Sequence, residues 1–181
     1  MLDVQAQTNA EVTMVLTPVT DPSKYGVVVT NEEGKALQFI EKPTQFISNK
    51  INAGMYLIKT SLLDKIKLEP TSLEREVFPR VAGEGGLYTL GIEGFWMDVG
   101  QPKDYITGTK LWLDFLAKHH DSRLAIGDNM VGNVMIHPTA VIDPGAKIGP
   151  NVVIGEGCTI SDGVRIKNAT VLAGTKVDKH S

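Results

Sequence analysis

The sequence predicts an α/β unit followed by a short parallel β-helix, and three observations predict it. A six-residue period runs through the C-terminal quarter of the chain. Before it, apolar runs of strand length alternate with short helical patterns. Between the two stands an amphipathic stretch opened by Pro102, where the first turn of a helix tolerates proline. A chain of 181 residues has room for one domain or two small ones, each with its own core.

Met1–Asn9 reads as the tail of a helix entering a strand, and Glu11–Val19 as that strand. Tyr25–Thr30 and Lys35–Glu41 are apolar runs joined by Asn31-Glu32-Glu33-Gly34, a turn signal that predicts a hairpin. Ile51–Ile58 predicts a further buried strand, then Ser61–Lys67 and Ser72–Val81 two short helices. Leu87–Ile92 and Phe95–Asp98 read as strands. The helix from Pro102 runs through Lys118, with Tyr105, Trp112 and Leu116 on one face. Residues 119–133 carry two glycines and several charges and read as a linker, which divides the chain into 1–118, 119–133 and 134–181.

The repeat is the most specific signal. Ile136, Ile142, Ile148, Ile154, Ile160, Ile166 and Leu172 recur every six residues, each preceded two positions earlier by a small or aliphatic residue. Gly145, Asn151, Gly157 and Gly163 stand three residues after four of them. Each hexad makes a short strand and a tight turn, three hexads close one triangular coil, and the aliphatic residue points into the shaft. Gly or Asn at the corner tolerates left-handed backbone. Stacked coils satisfy one another's backbone groups. Open strand edges at the ends of such a stack favour association, so an oligomer formed through the β-helix is expected.

Composition narrows the partners. The net charge is -3, from 18 basic and 21 acidic residues, with no basic run, so a nucleotide is expected as partner and a nucleic acid is not. The single cysteine, Cys158, forms no internal disulfide framework and fits a reducing compartment. No apolar stretch approaches the ~20 residues of a membrane span, and the N-terminus lacks a signal-peptide layout. No membrane partner and a cytoplasmic location are therefore expected.

Four motifs stand in order: Lys24-Tyr25-Gly26-Val27-Val28, Phe39-Ile40-Glu41-Lys42-Pro43, Asn52-Ala53-Gly54-Met55-Tyr56 and Phe95-Trp96-Met97-Asp98-Val99-Gly100. Gly26 admits close approach to its backbone. Glu41 can accept hydrogen bonds, and Lys42 offers a compact charge suited to a phosphate. Asn52 offers a donor and an acceptor, or serves as a turn residue before its strand. Asp98 stands among Trp96, Val99 and Gly100, an apolar setting where an unpaired carboxylate is costly. A divalent cation relieves that cost; the other reading is a cap for the helix near Pro102.

This succession, followed by hexapeptide repeats, resembles the sugar-1-phosphate nucleotidyltransferases. Asp21-Pro22-Ser23-Lys24-Tyr25-Gly26 and Ser72-Leu73-Glu74-Arg75-Glu76-Val77-Phe78-Pro79 are most similar to the mannose-1-phosphate guanylyltransferases within them. The resemblance implies a partial Rossmann-like nucleotidyltransferase domain followed by an incomplete left-handed β-helix. It implies that Gly26, Glu41, Lys42 and Asn52 bind the sugar phosphate, and that Lys42 and Asp98 are catalytic, with Asp98 a ligand of Mg²⁺. The implied reaction joins mannose-1-phosphate and GTP into GDP-mannose and pyrophosphate. The family's glycine-rich phosphate loop and its earlier metal-binding aspartate have no match here, so the chain is expected to hold the sugar side of a site and to be inactive alone. Two other classes stand beside this reading. One is a non-catalytic scaffold or regulatory subunit, and the other a β-helix acyltransferase, for which His137 is the one candidate in the repeat.

Overall fold

The computed structural model describes residues 1–179 and 181, and the chain divides into two compact units, Met1–Trp96 and Met97–Ser181. The first opens with α1 (Leu2–Thr8) and β1 (Val12–Pro18), followed by β2 (Gly26–Thr30), β3 (Ala36–Glu41) and β4 (Lys50–Ile58). Next come α2 (Thr60–Leu63), a π-helical turn (Leu73–Val77), α3 (Phe78–Gly83) and β5 (Leu87–Gly91). The strands form one mixed sheet in the order β3-β2-β4-β1-β5. Its single parallel pair is β1 with β5, and the other neighbours run antiparallel.

Local chemistry accounts for these elements. Gly34 turns the predicted hairpin at φ 78°, and the Asn31 carboxamide oxygen accepts the Lys35 N–H at 2.8 Å. β1 is buried along almost its whole length, as its unbroken Val-Thr-Met-Val-Leu-Thr run requires of an inner strand. On one face Val12, Met14, Leu16, Val28, Phe39 and Leu87 pack with Leu62, Val77, Phe78 and Val81 from the helical segments. Phe78 is the hub of that core. Its ring meets Phe39 edge-on at 5.6 Å and Tyr56 at 4.8 Å.

Three expectations change here. The expected Ser72–Val81 helix begins as a π-turn, because Ser72 and Glu76 close on each other. The Ser72 hydroxyl accepts the Arg75 N–H at 3.2 Å, and Glu76 Oε1 accepts the Ser72 N–H at 2.9 Å. The Ser61–Lys67 helix shortens to Thr60–Leu63. Phe95–Asp98 is not a strand and pairs with no neighbour in the sheet. Instead Trp96 anchors it, its indole N–H donating to the Ala53 carbonyl at 3.0 Å and its ring meeting Tyr25 at 5.5 Å.

Among the described residues the second unit contains α4 (Pro102–Lys118) and eight short strands. These are β6 (Val134–Ile136), β7 (Val141–Ile142), β8 (Lys147–Ile148), β9 (Val152–Ile154), β10 (Thr159–Ile160), β11 (Arg165–Ile166), β12 (Ala169–Val171) and β13 (Lys176–Val177). They form three parallel sheets, β6-β9-β12, β7-β10-β13 and β8-β11, the three walls of the expected β-helix. Val134, Ile148, Val152, Ile154, Ile160, Val164 and Ile166 fill the shaft with Ala146 and Cys158. α4 packs against β12 and buries Leu113 and Leu116, while Tyr105, expected on the same face, is exposed.

The repeat slips by one residue in its last coil. Val134 pairs with Val152 and Lys147 with Arg165, but Val152 pairs with Ala169 and Ile160 with Val177. The cause is a shorter corner. Gly149-Pro150-Asn151 fills one turn, and only Lys167-Asn168 fills the turn stacked on it, where the Asn168 N–H donates to the Pro150 carbonyl at 2.8 Å. Val171 therefore takes the inward place expected of Leu172, which is 67% exposed. Asn151, Gly157 and Gly163 do adopt left-handed backbone, whereas Gly145 does not. Gly145 instead leaves room for Asp162, whose Oδ1 would stand 1.9 Å from a Cβ there.

Candidate functional site

The predicted residues of the first unit gather at one end of its sheet. Gly26 opens β2 and pairs with Glu41, the last residue of β3. Val27 pairs with Ile51, which brings Asn52 of β4 to the same end. Gly26 is buried, and a Cβ on it would lie 2.6 Å from Phe39 Cζ and 2.9 Å from Glu41 Oε2. The space left by its missing side chain is thus taken by Phe39 and Glu41. Glu41 stays on the core face two residues beyond Phe39, with its side chain 19% exposed.

Lys42 leaves the strand with φ 48°, a left-handed conformation that costs an L-residue with a Cβ about 1–2 kcal/mol. Its N–H is held by the Tyr25 carbonyl at 3.1 Å. Its ammonium lies 3.7 Å from Glu41 Oε1 and is largely in solvent. An exposed pair at that separation contributes little to stability. The left-handed backbone is thus held by the Tyr25 hydrogen bond, while the ammonium has only a loose, exposed ion pair.

Asn52 sits in a bulge of β4. From the Met14–Tyr56 pair to the Leu16–Asn52 pair, β1 advances two positions and β4 four. Gly54 makes the bulge at φ 78°, and its N–H donates to Asn52 Oδ1 at 2.9 Å. Asn52 Nδ2 donates to the Tyr56 hydroxyl at 2.6 Å. A carboxamide has two N–H groups and two lone pairs, so one of each remains for a further partner. The turn reading of Asn52 gives way to a residue inside a strand whose side chain holds a bulge.

Tyr56 was passed over among these residues, though it closes the third motif. Burial pushes its phenol up from the ordinary tyrosine range, and the carboxylates of Glu74 and Glu41 push the same way against the Asn52 hydrogen bond. Only the bulge reveals that Asn52 and Tyr56 meet, because in a regular strand residues four apart are too distant to bond.

Asp98 belongs to the second unit. It is exposed, so the cost of apolar burial expected from its neighbours does not arise. It does not cap α4 either: the N-cap is Gln101, which makes no side-chain capping bond. Among the described residues no group of three or more His, Cys, Asp or Glu side chains could by itself hold a metal ion. A lone accessible carboxylate does fit Mg²⁺, which keeps several waters and completes its shell with substrate phosphates. His137 is also exposed, with Nδ1 engaged by the Thr139 hydroxyl at 2.8 Å. No helix among the described residues is long and apolar enough to cross a membrane.

Comparison with known proteins follows this geometry. A family model described as nucleotidyl transferase matches residues 1–114, and one described as the GMPPB C-terminal domain matches residues 130–181. The chain is 52% identical over 172 residues to a probable mannose-1-phosphate guanylyltransferase 1 of Oryza sativa subsp. japonica, covering 94% of this chain and 48% of the relative. It is 52% identical over 183 residues to a probable mannose-1-phosphate guanylyltransferase 3 of Arabidopsis thaliana, covering 100% and 55%. With the mannose-1-phosphate guanylyltransferase catalytic subunit beta of Danio rerio it shares 50% over 182 residues, covering 100% and 51%. The chain spans about half the length of the curated relatives it matches.

Proposed function

The chain belongs to the nucleotidyl transferase family, and from that premise we propose that it carries the sugar-phosphate side of a mannose-1-phosphate guanylyltransferase site. The observation that carries this reading is the convergence of Gly26, Glu41, Lys42 and Asn52 at one end of the sheet, with Lys42 held in strained backbone. Glu41 and the free half of the Asn52 carboxamide bind hexose hydroxyls. Lys42 leans out of the strand to meet the phosphate of the incoming sugar. That phosphate oxygen attacks the α-phosphorus of GTP, the bond to the β-phosphate oxygen breaks, and pyrophosphate leaves with GDP-mannose formed. Orienting the attacking oxygen is the contribution of these residues, and orientation alone removes much of the entropic barrier.

Asp98 is the residue that would hold Mg²⁺. When bound, the ion neutralises phosphate charge. Asp98→Asn should weaken Mn²⁺ binding measured by electron spin resonance; unchanged binding would remove Asp98 from the role. Association would occur through the β-helix, on which Val141 and Leu172 are exposed.

Titration calorimetry of the 181-residue chain with mannose-1-phosphate tests the main reading. Saturable binding is expected, with Lys42→Ala weakening it about 10-fold or more, as charge-assisted contacts do. Absence of binding by the unaltered chain would overturn it.

A further inference from the structure

The β-helix carries two couples of like charges, one basic and one acidic, and among the described residues none of the four side chains enters a salt bridge. On the wall formed by β8 and β11, Lys147 and Arg165 are register partners in adjacent coils. Each stands one position before an isoleucine of the shaft, so strand alternation turns both side chains outward, and both are exposed. Neighbouring strands lie about 4.8 Å apart, and like charges directly opposite repel.

The acidic couple is Asp143 and Asp162, again one on each of two adjacent coils. Asp162 Oδ1 and Asp143 Oδ1 stand 1.9 and 3.4 Å from where a Cβ on Gly145 would be, so the glycine lets both carboxylates close on one spot. Asp143 Oδ1 accepts the Gly145 N–H at 2.9 Å, and Asp162 is exposed. This corner turns directly into the basic wall. Asp143-Pro144-Gly145-Ala146 leads into Lys147 on one coil, and Asp162-Gly163-Val164 into Arg165 on the next. α4 packs against β12, a strand of a different wall.

The two ladders thus lie side by side and advance by the same step, one charge per coil. A surface of that kind is complementary to itself. A two-fold axis lays the basic ladder of one copy on the acidic ladder of the other, and the reverse contact forms by symmetry. Both repulsions are then relieved together. An acidic partner would relieve only the basic couple, and a cation only the acidic one.

We propose that this corner and wall are an interface between two copies of the chain, with the coils of the two shafts in step. Lys147 of each copy meets Asp143 of the other, and Arg165 meets Asp162. The inference rests on the proposed association through the β-helix and gives that association its surface, the side of the shaft and not its open ends.

Sedimentation equilibrium of the 181-residue chain at about 50 mM and about 500 mM salt is the first measurement. Association should weaken about 10-fold across that range, because exposed charge pairs are screened. Arg165→Glu and Asp162→Lys are then measured singly and mixed, one of them fluorescently labelled, with circular dichroism melts of both. Each alone sets like charges face to face twice across the two-fold and should weaken self-association about 10-fold or more. Mixed in equal amounts, they restore opposite charges at every pair, so the heterodimer should form at about native strength. Association that ignores both salt and the two substitutions would overturn the inference while leaving association through the β-helix in place. Weakening by each substitution without recovery in the mixture would overturn it too, since wall and corner would then not meet. A strictly monomeric unaltered chain would overturn both readings. Should either reversal melt early, Arg165→Gln and Asp162→Asn take their places, and each must flatten the salt dependence or the inference fails.

Discussion

Gly26 and Glu41 face each other across the first hairpin, and a single methyl on Gly26 would lie 2.9 Å from the Glu41 carboxylate. The same methyl would meet the Phe39 ring at 2.6 Å. The glycine thus fixes the position of an acidic side chain on the neighbouring strand.

Gly26→Ala should therefore act on both stability and binding. Phe39 is buried against Phe78 and has little room to yield, so overpacking should cost about 1–3 kcal/mol in urea denaturation. Glu41, at the strand end, should give way and lose its place toward the ligand. Calorimetry should show weaker binding of mannose-1-phosphate; native affinity with native stability would show that the close approach is not needed.

Lys42 should display the opposite sign in the two measurements. At φ 48° glycine carries no Cβ penalty, so Lys42→Gly should stabilise the chain by up to about 1 kcal/mol, less what glycine's freedom in the unfolded state returns. The same change removes the phosphate-facing charge and should weaken sugar-phosphate binding about 10-fold or more. A stability gain coupled to a binding loss is what a residue strained for function predicts. If Lys42→Gly binds as well as the unaltered chain, the strain at Lys42 has another origin.

Much of this was legible in the sequence, and what was not has a physical cause. The hairpin was marked by Asn31 and Gly34, whose turn chemistry is local. The β-helix was marked by a period that only stacked coils explain. The Asn52–Tyr56 contact depends on the bulge at Gly54, which no alternation pattern reveals. The aromatic and glycine content of Phe95–Gly100 suggested a strand and a buried Asp98, but Trp96 is spent on the Ala53 carbonyl and Asp98 stays in solvent. Leu172 fits the hexad count and misses the shaft because one corner is a residue shorter than its neighbour.

Tyr56 offers a spectroscopic check of the site's electrostatics. Its phenol is raised by burial first, then by Glu74 and Glu41. The folded state therefore holds the proton more firmly than the unfolded chain. That contribution is fully present below the unfolded value near pH 10 and is lost as pH rises through the folded one. Ultraviolet titration should place Tyr56 above the ordinary range, with Glu74→Gln and Glu41→Gln each moving it down. An unmoved titration in Glu74→Gln would mean that its carboxylate lies too far away to bear on the site.

The slipped coil yields a sharp comparison between two adjacent residues. If the hexad count held to the end, Leu172 would point into the shaft and Val171 outward. The stacked register instead pairs Val171 with Ile154, a residue only 1% exposed, and leaves Leu172 67% exposed. Val171→Asp should place an unpaired charge against Ile154 and cost about 3 kcal/mol or more, the range of buried-charge substitutions. Leu172→Asp should stay within about 0.5 kcal/mol, as surface changes do. The structural duties of Leu172 lie in its carbonyl, which accepts the Cys158 thiol at 3.0 Å and the Thr175 hydroxyl at 2.7 Å, and both survive the substitution. Urea denaturation followed by circular dichroism would rank the two variants. Greater damage from Leu172→Asp would restore the unbroken hexad and reject the shortened corner at Lys167-Asn168.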